Sequence, residues 1–181
     1  MTPEQTELVQ KTWEQLRPCH EAAAELFYGR LFECHPELRE YFRSDMQRQR
    51  RMLVTMLDVA VAGLDDLDAL VAPLERLGAA HVGYGVRDED YDKVGAALLW
   101  TLEQGLEDDF TEATAEAWAT AYGTLAGVMK AGSAAAAASR AAPHSRLTSG
   151  SSAGRRSSSP SRRRRRRCAS RRSTCAPSSS R

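Results

Sequence analysis

The chain has 181 residues, enough for one domain with a real core and short for two. Its formal net charge of +1 conceals a split: of 25 basic residues, 13 are arginines in the acid-free stretch Ser133 to Arg181, leaving 12 before it against all 24 acids. No run approaches the ~18–20 apolar residues of a membrane span, and Met1-Thr2-Pro3-Glu4 lacks the basic and apolar regions of a secretion signal. A cytoplasmic, reducing location without membrane partners is expected, with Cys19, Cys34, Cys168 and Cys175 as free thiols.

Up to Gly132 the sequence predicts helix after helix. Thr2 caps the first, with Pro3 at its first position and Gln5 at its third, ahead of Leu8, Val9, Trp13 and Leu16 at helical spacing. Pro18 interrupts. A second series, Ala22, Leu26, Phe27 and Leu31, stops at His35-Pro36, because the residue before proline is pushed out of helical geometry. A short segment carries Leu38, Tyr41 and Phe42. Ser44 or Asp45 then caps a helix presenting Met46, Leu53, Met56, Leu57, Ala60 and Leu64.

Asp65-Asp66 opens the next helix, with Leu67, Leu70, Val71, Leu74, Leu77 and His81 at spacings of three and four, and Gly83-Tyr84-Gly85 breaks it. Asp88 is the expected cap of a long helix bearing Tyr91, Val94, Leu98, Leu99, Leu102 and Leu106. Thr111 caps the last, which carries Trp118, Ala121, Tyr122, Leu125 and Met129 and is expected to stop at Gly132. Strand alternation and hairpin turns are absent, so the class is all-α. Residues 133–181 are Ala-, Ser-, Arg- and Pro-rich, with six consecutive arginines from Arg162 to Arg167. Such a segment cannot bury enough apolar surface to offset its ordering entropy, so a disordered tail is expected after a domain of residues 1–132.

His81 lies on the apolar stripe, four residues after Leu77 and seven after Leu74. By itself such a histidine is more often a satisfied core residue than a ligand. His20 and His35 at helix boundaries, and His144 in the tail, are less well placed. Tyr28 by itself reads as a buried tyrosine with a backbone partner.

Several stretches, in order, change this reading: Glu25-Leu26-Phe27-Tyr28-Gly29-Arg30-Leu31-Phe32, His35-Pro36-Glu37-Leu38 through Phe42, Leu77 to Val86 around His81, then Tyr91, Val94-Gly95, Leu98-Leu99, and Trp118 to Ala126. Together they resemble the bacterial globins of the flavohaemoglobin and single-domain haemoglobin type over roughly residues 2 to 132. The resemblance implies a globin fold around one b-type haem, held non-covalently because no CxxCH attachment motif is present. It makes His81 the proximal iron ligand, Phe42 the aromatic wedge on the haem face, Tyr28 the distal hydrogen-bond donor, and Tyr91 the residue that orients His81. Counting back without a gap from Leu67 and His81 puts the distal glutamine at Gln49, preferred over Gln47, with Leu53 on the same face four residues on.

The resemblance also implies a glutamate beside Tyr91, and the count from Trp118 lands on Ser133 instead. A carboxylate there raises the basicity of the ligand imidazole, so its loss puts strong nitric oxide dioxygenase activity in doubt. The expected function is therefore reversible binding of oxygen, and of nitric oxide and carbon monoxide, as a carrier or store. The rival is a nitric oxide dioxygenase served by a separate reductase, as in a truncated flavohaemoglobin. Nothing in the tail resembles a flavin- or nicotinamide-binding unit. For the tail itself three readings stay open: a basic arm for nucleic acid or acidic surfaces, an inert solvated segment, or translation out of frame. The last is preferred, and nucleic-acid binding is the least favoured function.

Overall fold

The computed structural model describes residues 1–43 and 45–141, all helix, turn or short connection. They belong to one unit, Met1–His144. Helix α1 (Pro3–Leu16) starts on the predicted capping box: Thr2 Oγ1 accepts from the Gln5 N–H at 3.2 Å, and Gln5 Oε1 accepts from the Thr2 N–H at 3.0 Å. A single 3₁₀ turn, Arg17–Cys19, absorbs Pro18 and leads into α2 (His20–Cys34). Pro36–Tyr41 forms a second 3₁₀ segment, and α3 (Met46–Ala62) follows with Asp45 as its cap. Leu64 is buried in the turn after α3 rather than within it. Cys19 and Cys34 are free and exposed.

Helix α4 (Leu67–Tyr84) is capped by Asp66 and runs through Gly83, ending only at Gly85, whose φ of +83° is the left-handed conformation that glycine tolerates best. Helix α5 (Asp88–Leu106) is capped differently from expectation. Its cap residue is Arg87, whose N–H is taken by the Asp90 carboxylate at 2.9 Å, so the acid reaches back instead of Asp88 reaching forward. After a 3₁₀ turn, Glu107–Asp109, Thr111 Oγ1 accepts from the Thr114 N–H at 3.2 Å and starts α6 (Glu112–Ala141).

The expected stop at Gly132, and with it the start of the tail at residue 133, is corrected by α6. The helix continues through Ala141, so residues 133–141 are helical. Gly132 is buried against the backbone of Glu75, and the alanines after it have the highest helix propensity of any residue. Whatever else was expected of the tail lies at residues 142–181, outside the described residues. No described helix is long and apolar enough to cross a membrane.

The core is built where α1, α2, α5 and α6 meet. Val9, Leu31 and Ala117 are fully enclosed there, and each large aliphatic residue so buried stabilises the fold by roughly 1.5–3 kcal/mol. Trp118 donates from Nε1 to Thr12 Oγ1 at 3.0 Å and Trp13 donates to Asp58 at 2.8 Å, so both indoles satisfy their polar atom while tying α1 to α6 and α3. The most extensive helix pairing is α4 on α6, whereas α3 packs on α2 and α1.

Two glycines permit the α4–α6 crossing: a Cβ on Gly78 would meet the Met129 carbonyl, and one on Gly132 would meet the backbone of Glu75. Gly78→Ala should therefore be destabilising. Its gain in helix propensity of ~1 kcal/mol is opposed by overpacking against backbone of roughly 1–3 kcal/mol or more. Gly123→Ala, on the exposed face of α6 with nothing near its missing Cβ, should stabilise by about 1 kcal/mol. Urea midpoints of the two variants should move in opposite directions; equal shifts would mean that the crossing is looser than described.

Candidate functional site

One cluster forms where α4, α5 and α6 meet. His81, half-buried on the last turns of α4, has Nδ1 3.0 Å from the hydroxyl of Tyr91, a residue of α5 that is only 5% exposed. Nε2 has no partner among the described residues. Burial holds the imidazole below its ordinary pKa, so it is neutral near pH 7. Tyr91 is fixed in turn by Tyr122, whose hydroxyl donates to the Tyr91 carbonyl at 2.6 Å, and by Ser133, whose Oγ lies 3.4 Å from the Tyr91 hydroxyl. Ser133 Oγ also donates to the Gly78 carbonyl at 2.8 Å. The position at which counting finds serine in place of glutamate is thus in contact with Tyr91.

The corner after His81 is pinned as well. Tyr41 OH lies 3.1 Å from the Gly85 carbonyl and 3.2 Å from Asp90, and Lys93 bridges Asp90 at 2.9 Å to Glu37 at 3.2 Å. Burial opposes ionisation of Asp90, but the Arg87 N–H and the Lys93 ammonium outweigh it and hold the carboxyl below its usual range.

A second cluster is aromatic. Because Pro36–Tyr41 coils the chain back, Phe42 meets Tyr28 of α2, with ring centroids 5.3 Å apart, and Phe32 at 5.5 Å. Tyr28 is 6% exposed, yet its hydroxyl has no hydrogen-bond partner among the described residues. That sets aside the plainer reading of a tyrosine bonded to backbone. Burial pushes its phenol up to about 12, so it remains a donor across the physiological range. Tyr28, Phe32, Met46 and Arg50 line an open cavity of about 420 Å³, and Leu53 lines a smaller space with Phe27, Leu57 and Leu98.

Of the two glutamines, Gln49 is half-buried and Gln47 exposed, though neither lines these cavities. Arg50 is not among the site residues expected from the sequence. Its Nη2 pairs with Glu25 at 3.1 Å, and its Nε is buried without a partner among the described residues.

The two clusters are not fused. The ring contact of His81 is with Tyr91 and not with Phe42 or Tyr28. Helix α3, which packs on α2 and α1, presents Gln49, Met52, Leu53 and Met56 at positions i, i+3, i+4 and i+7, one face of a helix. Met52 and Met56 on that face are 50% and 44% exposed. A flat apolar group with one coordination position for an imidazole fits the residues present: one histidine with its second nitrogen uncommitted, a cluster of aromatic rings, and a tyrosine hydroxyl without a partner among the described residues.

Comparison with known proteins decides the family, since the globin model matches residues 25–129. This chain belongs to the globin family. Flavohemoproteins of Vibrio cholerae serotype O1 and of Bordetella pertussis are similar to it, at 33% identity over 131 residues and 35% over 132. Each match takes in 71% of this globin and 33% of the relative, so the chain spans about a third of the length of these curated relatives. Among solved structures, an engineered carbene transferase, a putative nitric oxide dioxygenase from Rhodothermus marinus, has a TM-score of 0.71 at 27% identity, covering 78% of this globin and 99% of that chain. A bacterial globin from Campylobacter jejuni has a TM-score of 0.65 at 26% identity, covering 74% and 97%. Haem is the cofactor that goes with membership of this family.

Proposed function

We propose that this globin binds oxygen reversibly at a haem ligated by His81 and serves as an oxygen carrier or store. The observation that carries the reading is the state of His81: its Nδ1 is engaged by Tyr91, which leaves Nε2, neutral and without a partner among the described residues, for a metal. Haem would supply an iron that takes up diatomic gases. Phe42, Leu53 and the Met52–Met56 face would wall it, Tyr91 would hold the imidazole in orientation, and Tyr28 and Gln49 would donate to the gas. Nitric oxide and carbon monoxide are expected to enter the same pocket.

A second reading, nitric oxide dioxygenase working with a separate reductase, is favoured by the likeness to flavohemoproteins and to the Rhodothermus protein. Nitric oxide consumption by the oxygenated protein, with and without an added flavin reductase, tests the two. A carrier should consume about one equivalent and stop in both conditions. Sustained turnover that depends on the reductase would replace the carrier with the dioxygenase.

A further inference from the structure

The hydrogen bonds around His81 form a chain whose direction can be worked out by counting protons. At one end the Gly78 carbonyl can only accept, so the single Ser133 hydroxyl proton is spent on it. Ser133 Oγ therefore faces Tyr91 with lone pairs only, so the bond across their 3.4 Å separation is donated by Tyr91. The Tyr91 oxygen is then left as an acceptor for His81, which must carry its proton on Nδ1. A neutral imidazole that offers Nε2 to a metal likewise carries its proton on Nδ1. The chain runs His81 to Tyr91 to Ser133 to Gly78, crosses three helices, and contains no charged group.

We infer that Ser133 is a positioning residue for the metal ligand, fixing the Nδ1–H tautomer of His81 through Tyr91 and ending the chain on an uncharged acceptor that leaves the imidazole a weak electron donor. The inference rests on the reading of His81 as haem ligand. Its consequence is chemical. An imidazole bonded toward a carboxylate gains anionic character and stabilises the ferric state. One bonded toward a neutral hydroxyl and carbonyl does not, so this globin keeps its iron ferrous more readily and is biased toward holding oxygen over oxidative turnover. The tight Gly78–Met129 crossing holds the Gly78 carbonyl within reach of α6, so the acceptor is backbone and cannot rotate away.

The test compares Ser133→Ala, Ser133→Thr and Ser133→Asp in the full-length haem protein. The readouts are the iron–imidazole stretching frequency of the ferrous protein without gas, the ferric/ferrous midpoint potential, haem content and melting temperature. Ser133→Thr keeps the hydroxyl and should reproduce the wild-type frequency. Ser133→Ala removes the acceptor for the Tyr91 proton, so the Tyr91 hydroxyl is less firmly oriented toward the Nδ1–H, which should lower and broaden the stretch. Ser133→Asp supplies an anionic acceptor, which should raise the stretch and favour ferric iron about tenfold at a given potential, equivalent to ~59 mV for one electron. An unchanged stretch and potential in fully loaded, normally melting Ser133→Ala and Ser133→Asp would overturn the inference alone. Failure of the wild-type protein to bind haem through His81 would overturn the ligand reading, and this inference with it.

Discussion

His81→Ala should strip the protein of stably bound haem. Losing an outer partner of a metal-bound histidine typically costs 10–100-fold in affinity, and losing the ligand itself should cost more than ~100-fold. What haem remains should be loose, exchange readily into an acceptor protein, and be partly restored by added imidazole in the space left by the side chain. The Soret band per mole of protein, followed through gel filtration with and without imidazole, measures this. Among the described residues His20 and His35 offer no substitute: His20 stacks on Trp13 at 4.1 Å and His35 sits by Glu37 at 3.6 Å. An unchanged five-coordinate ferrous spectrum in His81→Ala would remove His81 from the site.

Tyr28→Phe should speed oxygen release by roughly ten- to a hundred-fold. Captured oxygen carries partial negative charge on its outer atom, and a hydrogen bond to a charged group contributes about 1.5–3 kcal/mol, with ~1.4 kcal/mol per factor of ten. The Tyr28 hydroxyl has no other partner among the described residues to lose, so the substitution removes a donor without stranding an acceptor. Packing should survive, because the ring contacts with Phe27, Phe32 and Phe42 are kept. Carbon monoxide carries little outer charge and should respond far less. Gln49→Leu should shift oxygen release in the same direction by a smaller factor, its amide being neutral and its side chain longer and freer. Equal acceleration of both gases in Tyr28→Phe would mean that Tyr28 only shapes the cavity.

Local chemistry made most of the fold readable. The Thr2 capping box, the His35-Pro36 stop and the Asp66 cap each depend on residues within a turn of one another, and each forms where the sequence places it. Gly132 shows where such reading ends. A glycine before an acid-free, alanine-rich stretch carries the same local signal whether it closes a helix or lets two helices touch, and only the approach of Glu75, 57 residues away in the chain, distinguishes them. The site divides along the same line. His81 and Tyr91 were reachable through spacing and resemblance, and their 3.0 Å contact follows from α4 and α5 meeting at a pinned corner. Ser133 was found by counting, but read as a loss, because its two partners lie on other helices. Arg50 gave no sequence signal at all, since its burial comes from α2 lying across the start of α3.

The meeting of backbone with backbone at Gly78 and Gly132 has a mechanical consequence. A contact made by side chains yields by rotamer change, whereas one made by main chain transmits displacement nearly undamped. The nine residues of α6 beyond Gly132 form a rod about 14 Å long at 1.5 Å per residue, anchored beside the turn that carries His81. A load applied at Ala141 is therefore felt as a lever on the imidazole. Tethering the protein to an electrode or a bead is better done at Met1, ahead of the α1 capping box, than through Ala141.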